Sequence, residues 1–355
     1  MSLVPLPPQP AGVPWPTDAW PAGPGLPPEA ADLVDDMLGD VATYGQTYAV
    51  AVVQGGRLLA ERTAGALEHF DRPPTPVTPE TPLLSWSMAK SILHAAVGIL
   101  VGRRLLDPIA PAAVPGWRDD ERAGITLGHL LTMRDGLDFV EDYDDAGRSD
   151  VIEMLFGAGQ DDVAGFAAAR PARHEPGAVF NYSSGTSNIV ARLAGDVVGD
   201  GGQGDGGASA FSAFLHDELF APIGMRSAQP GFDAAGTFVG SSYVHATARD
   251  FARFGLLALR GGRWDGRQLL PEGWIDHGRT PRSIDPDDGR RYGAHWWVTG
   301  ADHGGFWANG FDGQSILCVP AADLVVVRLG RSPQSCADAL LGWRGAMADA
   351  VLAAG

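Results

Sequence analysis

The feature that most constrains this chain is a pair of hairpin patterns, one near each end. "QTYAVAVVQGGRLLAERTAG" places two β-rich runs around Gln54-Gly55-Gly56, and "QSILCVPAADLVVVRLG" repeats the pattern close to the C-terminus. "PPEAADLVDDMLGDV" precedes the first, with Ala31, Leu33, Val34 and Leu38 at helical spacing, and an Ala-rich helix from about Ala337 to Leu352 follows the second. Strands at both ends with helices between them predict an α+β fold, an α/β sandwich in which an antiparallel sheet built from both termini is flanked by helices and carries an inserted, mostly helical lobe.

The expected organisation follows. Residues 1–27 are too proline-rich for helix or central strand and form an extended arm lying on the body. Residues 28–110 and 231–355 form the α/β domain, and 111–230 the helical lobe. In the lobe Thr126 can cap "LGHLLTMR", with Gly136 just past its end, and Ser184 can cap "GTSNIVARLAGDVV". "GDGGQGDGGASA" reads as a flexible connector. Its G-x-G-x-x-G from Gly199 to Gly204 follows a helix, whereas a dinucleotide fingerprint must follow a strand.

A formal charge of −17 argues against nucleic acid or an anionic membrane surface as partner. No apolar run reaches the roughly 18 residues of a membrane span, and the N-terminus lacks a basic segment followed by an apolar one. The expectation is a soluble, cytoplasmic protein. Cys318 and Cys336 read as packing thiols. No cofactor and no metal are expected.

Of 26 Lys plus Arg, only Lys90 is lysine. It lies in "LLSWSMAKSILHAAVGIL", where an extended run meets a helix apolar on nearly every face. Ser87 falls at or near the first helical turn, where free N–H groups and the helix dipole favour a developing oxyanion. Lys90, three residues on, can reach its hydroxyl. A desolvated lysine can lose its proton and act as a base, which a guanidinium cannot. A snorkelling lysine beside an unrelated serine is the structural alternative.

Two later stretches complete a three-part pattern. "PGAVFNYSSGTSN" puts Tyr182 before a helix start with Ser184 two residues on, and "WANGFDGQSILCVP" puts Ala308-Asn309-Gly310 on a strand leading into the C-terminal hairpin. The order S-x-x-K, Y-x-[NS], x-x-G resembles the serine β-lactamase and penicillin-binding-protein superfamily. The likeness is to its branch containing class C β-lactamases, family VIII carboxylesterases and 6-aminohexanoate-dimer hydrolases, over roughly residues 30–353. "LGHLLTMRDGLDFVEDY", "LFAPIGM", "ARDFARFGLLALRGGRWDGRQLLPEGW" and "YGAHWW" carry it further.

The resemblance implies a β-lactamase/transpeptidase-like fold and an acyl-enzyme mechanism on a small ester or amide. Ser87 would be nucleophile, Lys90 base or base partner, and Tyr182 the second proton-transfer group. The backbone N–H groups of Ser87 and Phe311 would form the oxyanion hole. A side chain at Gly310 would block approach of the acyl group to the strand. Class C enzymes carry Asn where Ser184 stands and Lys-Thr where Ala308-Asn309 stand, so strong β-lactamase activity is not expected. The short "GFDGQ" resembles the dimer hydrolases and related esterases, and Tyr143 matches a tyrosine they place near the leaving amine. Ser184, Asn309, Gly310 and Trp307 are further substrate-binding candidates. A D-amino-acid peptidase, a weak β-lactamase and a non-catalytic ligand-binding or sensor module are the alternatives.

Other residues read more plainly. His94 is expected as a satisfied buried histidine and His303 as a loop residue; His174-Glu175 lacks the second histidine of a zinc-protease helix. No G-x-S-x-G elbow occurs. Trp86, Trp296, Trp297 and Trp307 are core packing or a pocket wall. Glu141, Asp142, Asp144 and Asp145 read as a solvated face, or as a lure for a substrate ammonium.

Overall fold

The computed structural model describes residues 3–143, 147, 149–199 and 205–354. The N-terminal hairpin is β1 (Gln46–Gln54) and β2 (Arg57–Thr63); β3 (Phe306–Asn309), β4 (Ser315–Val319) and β5 (Leu324–Arg331) come from the C-terminal third. Among the described residues they belong to one eight-stranded sheet, ordered Ser283–Ile284, Arg291–Tyr292, Trp297–Val298, β3, β4, β5, β1, β2. Every pairing is antiparallel, and β1 beside β5 (Val50 opposite Arg328, Val52 opposite Val326) joins the two ends of the chain. The hairpin closes tightly because Gly55 and Gly56 both take positive φ, 56° and 73°, as a type I′ turn demands.

Both faces of this sheet are covered, which is why the central strands read as near-continuous apolar runs. Val50, Val52, Leu317, Val326 and Trp307 face one side, with α1 (Pro28–Gly39) and the C-terminal α6 (Ala337–Ala354) packed over them. Ala49, Ala51, Val53, Ile316, Cys318, Val325 and Val327 face the other, under α5 (Ala248–Leu259) and the central α2 (Ala89–Gly102). The buried stripe of α1 is Ala30, Val34 and Met37, so only Val34 of the expected set points fully inward. Every residue of α2 from Ala89 to Leu100 is buried.

Between α2 and α5 the regular elements among the described residues are mostly helices, including α3 (Leu127–Leu131) and α4 (Ser184–Val198), joined by long stretches of turn and loop. Thr126 caps α3 in a capping box with His129. The connector is a different matter: Asp205–Leu215 is helical, because Phe211 and Leu215 are buried in the core and that packing outweighs the glycines' low propensity. Residues 200–204, most of the G-x-G-x-x-G, lie outside the described residues. No helix among the described residues is long and apolar enough to cross a membrane.

The proline-rich arm runs along the body and is fastened by arginines. Arg279 donates to the Val4 carbonyl (2.7 Å), Arg260 to that of Pro7 (3.2 Å) and Arg253 to that of Pro16 (2.7 Å). Trp264 Nε1 donates to Thr17 Oγ1 (2.8 Å) and packs against Trp15. Residues 21–23 then pair with Leu58 on the outer side of β2, covering that exposed sheet edge.

Candidate active site

Ser87 sits where an extended segment is forced into a helix. Leu83–Leu84 pairs with Val244–Ala246, and Ser85 anchors the end of that pairing by its N–H to Val244 O (2.8 Å) and its hydroxyl to Ser242 O (3.1 Å). Trp86 takes φ 44° to reverse the chain, and one 3₁₀ turn, Trp86–Met88, leads into α2. Ser87 thus stands ahead of the buried helix, 9% exposed.

Lys90 lies one turn on and is 2% exposed. Its Nζ is 2.9 Å from Ser87 Oγ, 3.0 Å from Ser184 Oγ and 3.1 Å from the Ser241 carbonyl, so all three ammonium protons have acceptors. Burial pushes its pKa down to about 8, against a smaller upward pull from Glu141. Tyr182 covers the amine, which lies 4.8 Å from its ring centroid, and Ser87 acts on its hydroxyl in the direction that lowers its pKa. Burial holds that phenol well above its ordinary value, the Glu141 charge adding to the effect, so at neutral pH it is a neutral donor.

The structure moves the helix cap by one residue. Ser183, not Ser184, caps α4, accepting from Thr186 N (2.9 Å); Ser184 is the first helical residue and turns its hydroxyl onto Lys90. Sequence reasoning also placed Glu141 on a solvated face, and here it is corrected. The Glu141 carboxylate accepts from Ser184 N (2.6 Å), Ser184 Oγ (2.7 Å) and the Tyr143 hydroxyl (2.6 Å). Nothing local in "FVEDYDD" singles it out; Asp144 and Asp145 lie outside the described residues.

The third motif closes the site from the sheet. Gly310 is required less by an incoming acyl group than by the fold, since a Cβ there would lie 2.3 Å from the Ser85 carbonyl oxygen. After it, Phe311–Gly313 forms a 3₁₀ turn with Asp312 at φ 61°. Buried Arg328 donates to the Asp312 carbonyl (2.8 Å), and Gln314 exchanges two bonds with the Gly330 backbone (2.6 and 2.8 Å). These hold the turn that presents the Phe311 N–H, which as the first of its turn has no intrahelical partner. Asn309 is half-buried beside Gly310. Trp307, a substrate-binding candidate by sequence, is 2% exposed and packs under α6, donating its indole N–H to Asn309 Oδ1 (3.4 Å); it backs the strand instead of facing a ligand.

At the mouth Phe311 packs on Trp86 and Tyr143, with ring centroids 5.7 and 4.9 Å apart, and Tyr143 is 42% exposed. Trp297 backs Tyr182 at 5.4 Å, while Trp296 lies in the core against Phe254. His303 accepts from Gly305 N (3.1 Å) in a loop. The two cysteines are buried and unpaired. Among the described residues no group of His, Cys, Asp and Glu could hold a metal.

The chain belongs to the β-lactamase family, whose model matches residues 37–348, and it is a serine hydrolase. It is 27% identical over 334 residues to the 6-aminohexanoate-dimer hydrolase of Paenarthrobacter ureafaciens, covering 88% of this chain and 80% of that one. Among solved structures it resembles a Bacillus anthracis protein assigned as a 6-aminohexanoate-dimer hydrolase (TM-score 0.73, 21% identity, 90% of this chain and 81% of the other). A family VIII carboxylesterase also matches (TM-score 0.68, 14% identity, 92% and 99%). These structural likenesses establish the fold.

Two predictions arise here. Gly310→Ala forces the β3 end away from Ser85, and a displacement near 1 Å costs about 100-fold in turnover with the fold retained, measured by ester kinetics and circular dichroism. The second concerns pH. His94 is buried as expected but unsatisfied, with neither ring nitrogen bonded, and it clusters with Trp274 and His277, the three rings stacking pairwise. Burial holds His94 well below the usual value, His277 at about 4 and His295 at about 3. Folded pKa values below the unfolded one mean that the unfolded chain takes up protons the native state refuses. Stability is therefore full above about pH 6.5 and falls as pH drops towards 4, by up to roughly 1.4 kcal/mol per pH unit for each histidine. Melting curves from pH 7 to 5 should show a steep decline that His94→Leu makes shallower.

Proposed function

We propose that the protein hydrolyses small esters or linear amides through an acyl-enzyme on Ser87. The neutral Lys90 amine takes the Ser87 proton as Oγ attacks the carbonyl carbon; the resulting oxyanion is held by the Ser87 and Phe311 N–H groups; and the proton passes, with the Tyr182 phenol at hand, to the leaving oxygen or nitrogen. Water then attacks the acyl carbon, giving its proton to Lys90, and Ser87 is restored as the carboxylic acid departs. The observation that carries this reading is a wholly buried amine 2.9 Å from a hydroxyl at a helix entrance. The named relative supports linear amides, and the carboxylesterase likeness supports small esters at the level of fold. Alanine and asparagine at 308 and 309 supply no cation for a β-lactam carboxylate. The partner is thus a small neutral or amino-terminated substrate, the acidic chain being a poor match for nucleic acid or an anionic membrane. Two buried free thiols fit a reducing, cytoplasmic setting.

The test is incubation with p-nitrophenyl acetate, short linear amides, D-peptides and a chromogenic cephalosporin, alongside a fluorophosphonate whose adduct is located by mass spectrometry. Turnover of esters or amides with the adduct on Ser87 supports the proposal. An adduct elsewhere, a stable acyl adduct without turnover, or no adduct overturns it.

A further inference from the structure

The hydrogen bonds around Lys90 have a polarity. The Ser241 carbonyl can only accept. Ser184 Oγ spends its single proton on Glu141 Oε1 (2.7 Å), so towards Lys90 (3.0 Å) it too can only accept. A neutral amine has two N–H bonds and one lone pair. With both protons directed at Ser241 and Ser184, the lone pair is left facing the Ser87 hydroxyl at 2.9 Å.

We infer that Glu141 is a positioning residue for acylation: by holding the Ser184 hydroxyl as an acceptor, it leaves the Lys90 lone pair no partner but Ser87. The inference rests on the acyl-enzyme reading above. Were the Glu141 oxygens replaced by an amide, an N–H could donate to Ser184 Oγ, freeing that hydroxyl to turn its proton onto the amine and occupy the lone pair. The single-acceptor geometry explains how a serine serves where class C enzymes carry asparagine, whose amide oxygen accepts without help. Tyr143 and the Ser184 N–H fix the same carboxylate, so it cannot rotate away.

The groups facing Lys90 are few. Tyr182 lies over it as a neutral phenol, and Tyr143 and Tyr292 are neutral on the far sides of Glu141 and Tyr182. His295 is neutral with its tautomer fixed: Nδ1 donates to the Leu131 carbonyl (3.1 Å), so Nε2 accepts from Ser187 (2.9 Å). Arg290 acts on the far side of Tyr182 and is paired with Asp288. Glu141 is therefore the carboxylate tied to the amine through a single hydroxyl, and its removal has two effects. The base loses its orientation, and the ammonium loses its anion.

The experiment measures the rate of Ser87 phosphonylation by a fluorophosphonate against pH, by mass spectrometry, in the wild type, Glu141→Gln and Glu141→Asp. Glu141→Gln should label about 10- to 100-fold more slowly, within the range general-base assistance spans, and the acidic limb of its profile should move to lower pH because the ammonium is less stable. Glu141→Asp should recover part of both. Lys90 being the sole lysine, [ε-¹³C]lysine labelling gives one resonance whose midpoint should fall in Glu141→Gln. Unchanged labelling, or a slower rate with limb and midpoint unmoved, overturns the inference. If Glu141→Gln does not fold, Ser184→Ala removes the intermediary alone; the same slowing and lower midpoint support the inference, and wild-type behaviour overturns it. Failure of the wild type to label at Ser87 would instead strike the acyl-enzyme reading.

Discussion

Lys90→Met should lose about 10³- to 10⁴-fold in ester turnover while remaining folded, because the only amine within reach of Ser87 is gone and the phenol beside it stays neutral. Methionine fills a similar apolar volume in a site that is already desolvated, so the helix loses chemistry and little packing. Lys90→Arg should be equally inactive, since a guanidinium is never free to accept a proton. The relevant comparison is kcat against circular dichroism and KM. A folded Lys90→Arg with near-normal turnover would rule out the base role. In the wild type, kcat/KM for an ester should rise with pH to a plateau above about 8, the value to which burial brings this amine.

Deleting residues 1–27 should cost roughly 5 kcal/mol of stability and leave the turnover of the folded fraction unchanged. The arm carries the carbonyls that accept from Arg253, Arg260 and Arg279, and hydrogen bonds to charged groups contribute about 1.5–3 kcal/mol each. It also covers the β2 edge and buries Leu6, Trp15 and Trp20 against the core. Among the described residues of the arm, none of the hydrogen-bond partners is Ser87, Lys90, Tyr182 or a residue bonded to them. Denaturant titration and melting should show the loss, roughly 7 °C in midpoint for a chain of this length. Unchanged stability, or a large fall in kcat of the folded protein, would contradict this division of labour.

What the sequence discloses follows from how local each determinant is. Both hairpins were legible because β-rich runs and turn glycines lie within twenty residues, and Ser87–Lys90 because one helical turn sets their distance. The cap of α4 was ambiguous between two adjacent serines; it is settled by which hydroxyl Lys90 and Glu141 need, a contact across some forty to ninety residues of chain. Glu141 itself was hidden in an acidic run that looks solvated, and only the fold turns one carboxylate inward. Asp205–Leu215 was obscured by its glycines, since tertiary burial of Phe211 and Leu215 makes the helix. For Trp307, strand alternation was readable, but which face met the cleft was not. The arginine clamps on the arm were equally out of reach, each spanning more than 230 residues.

The most direct test of the central claim is the titration of Lys90 in the wild-type protein by [ε-¹³C]lysine NMR, where a single resonance reports a single amine. A midpoint near 8 is the predicted result, and it places a usable free base beside Ser87 at neutral pH. A midpoint at or above the ordinary lysine value of about 10.4 would leave Ser87 facing a permanent ammonium and contradict the account.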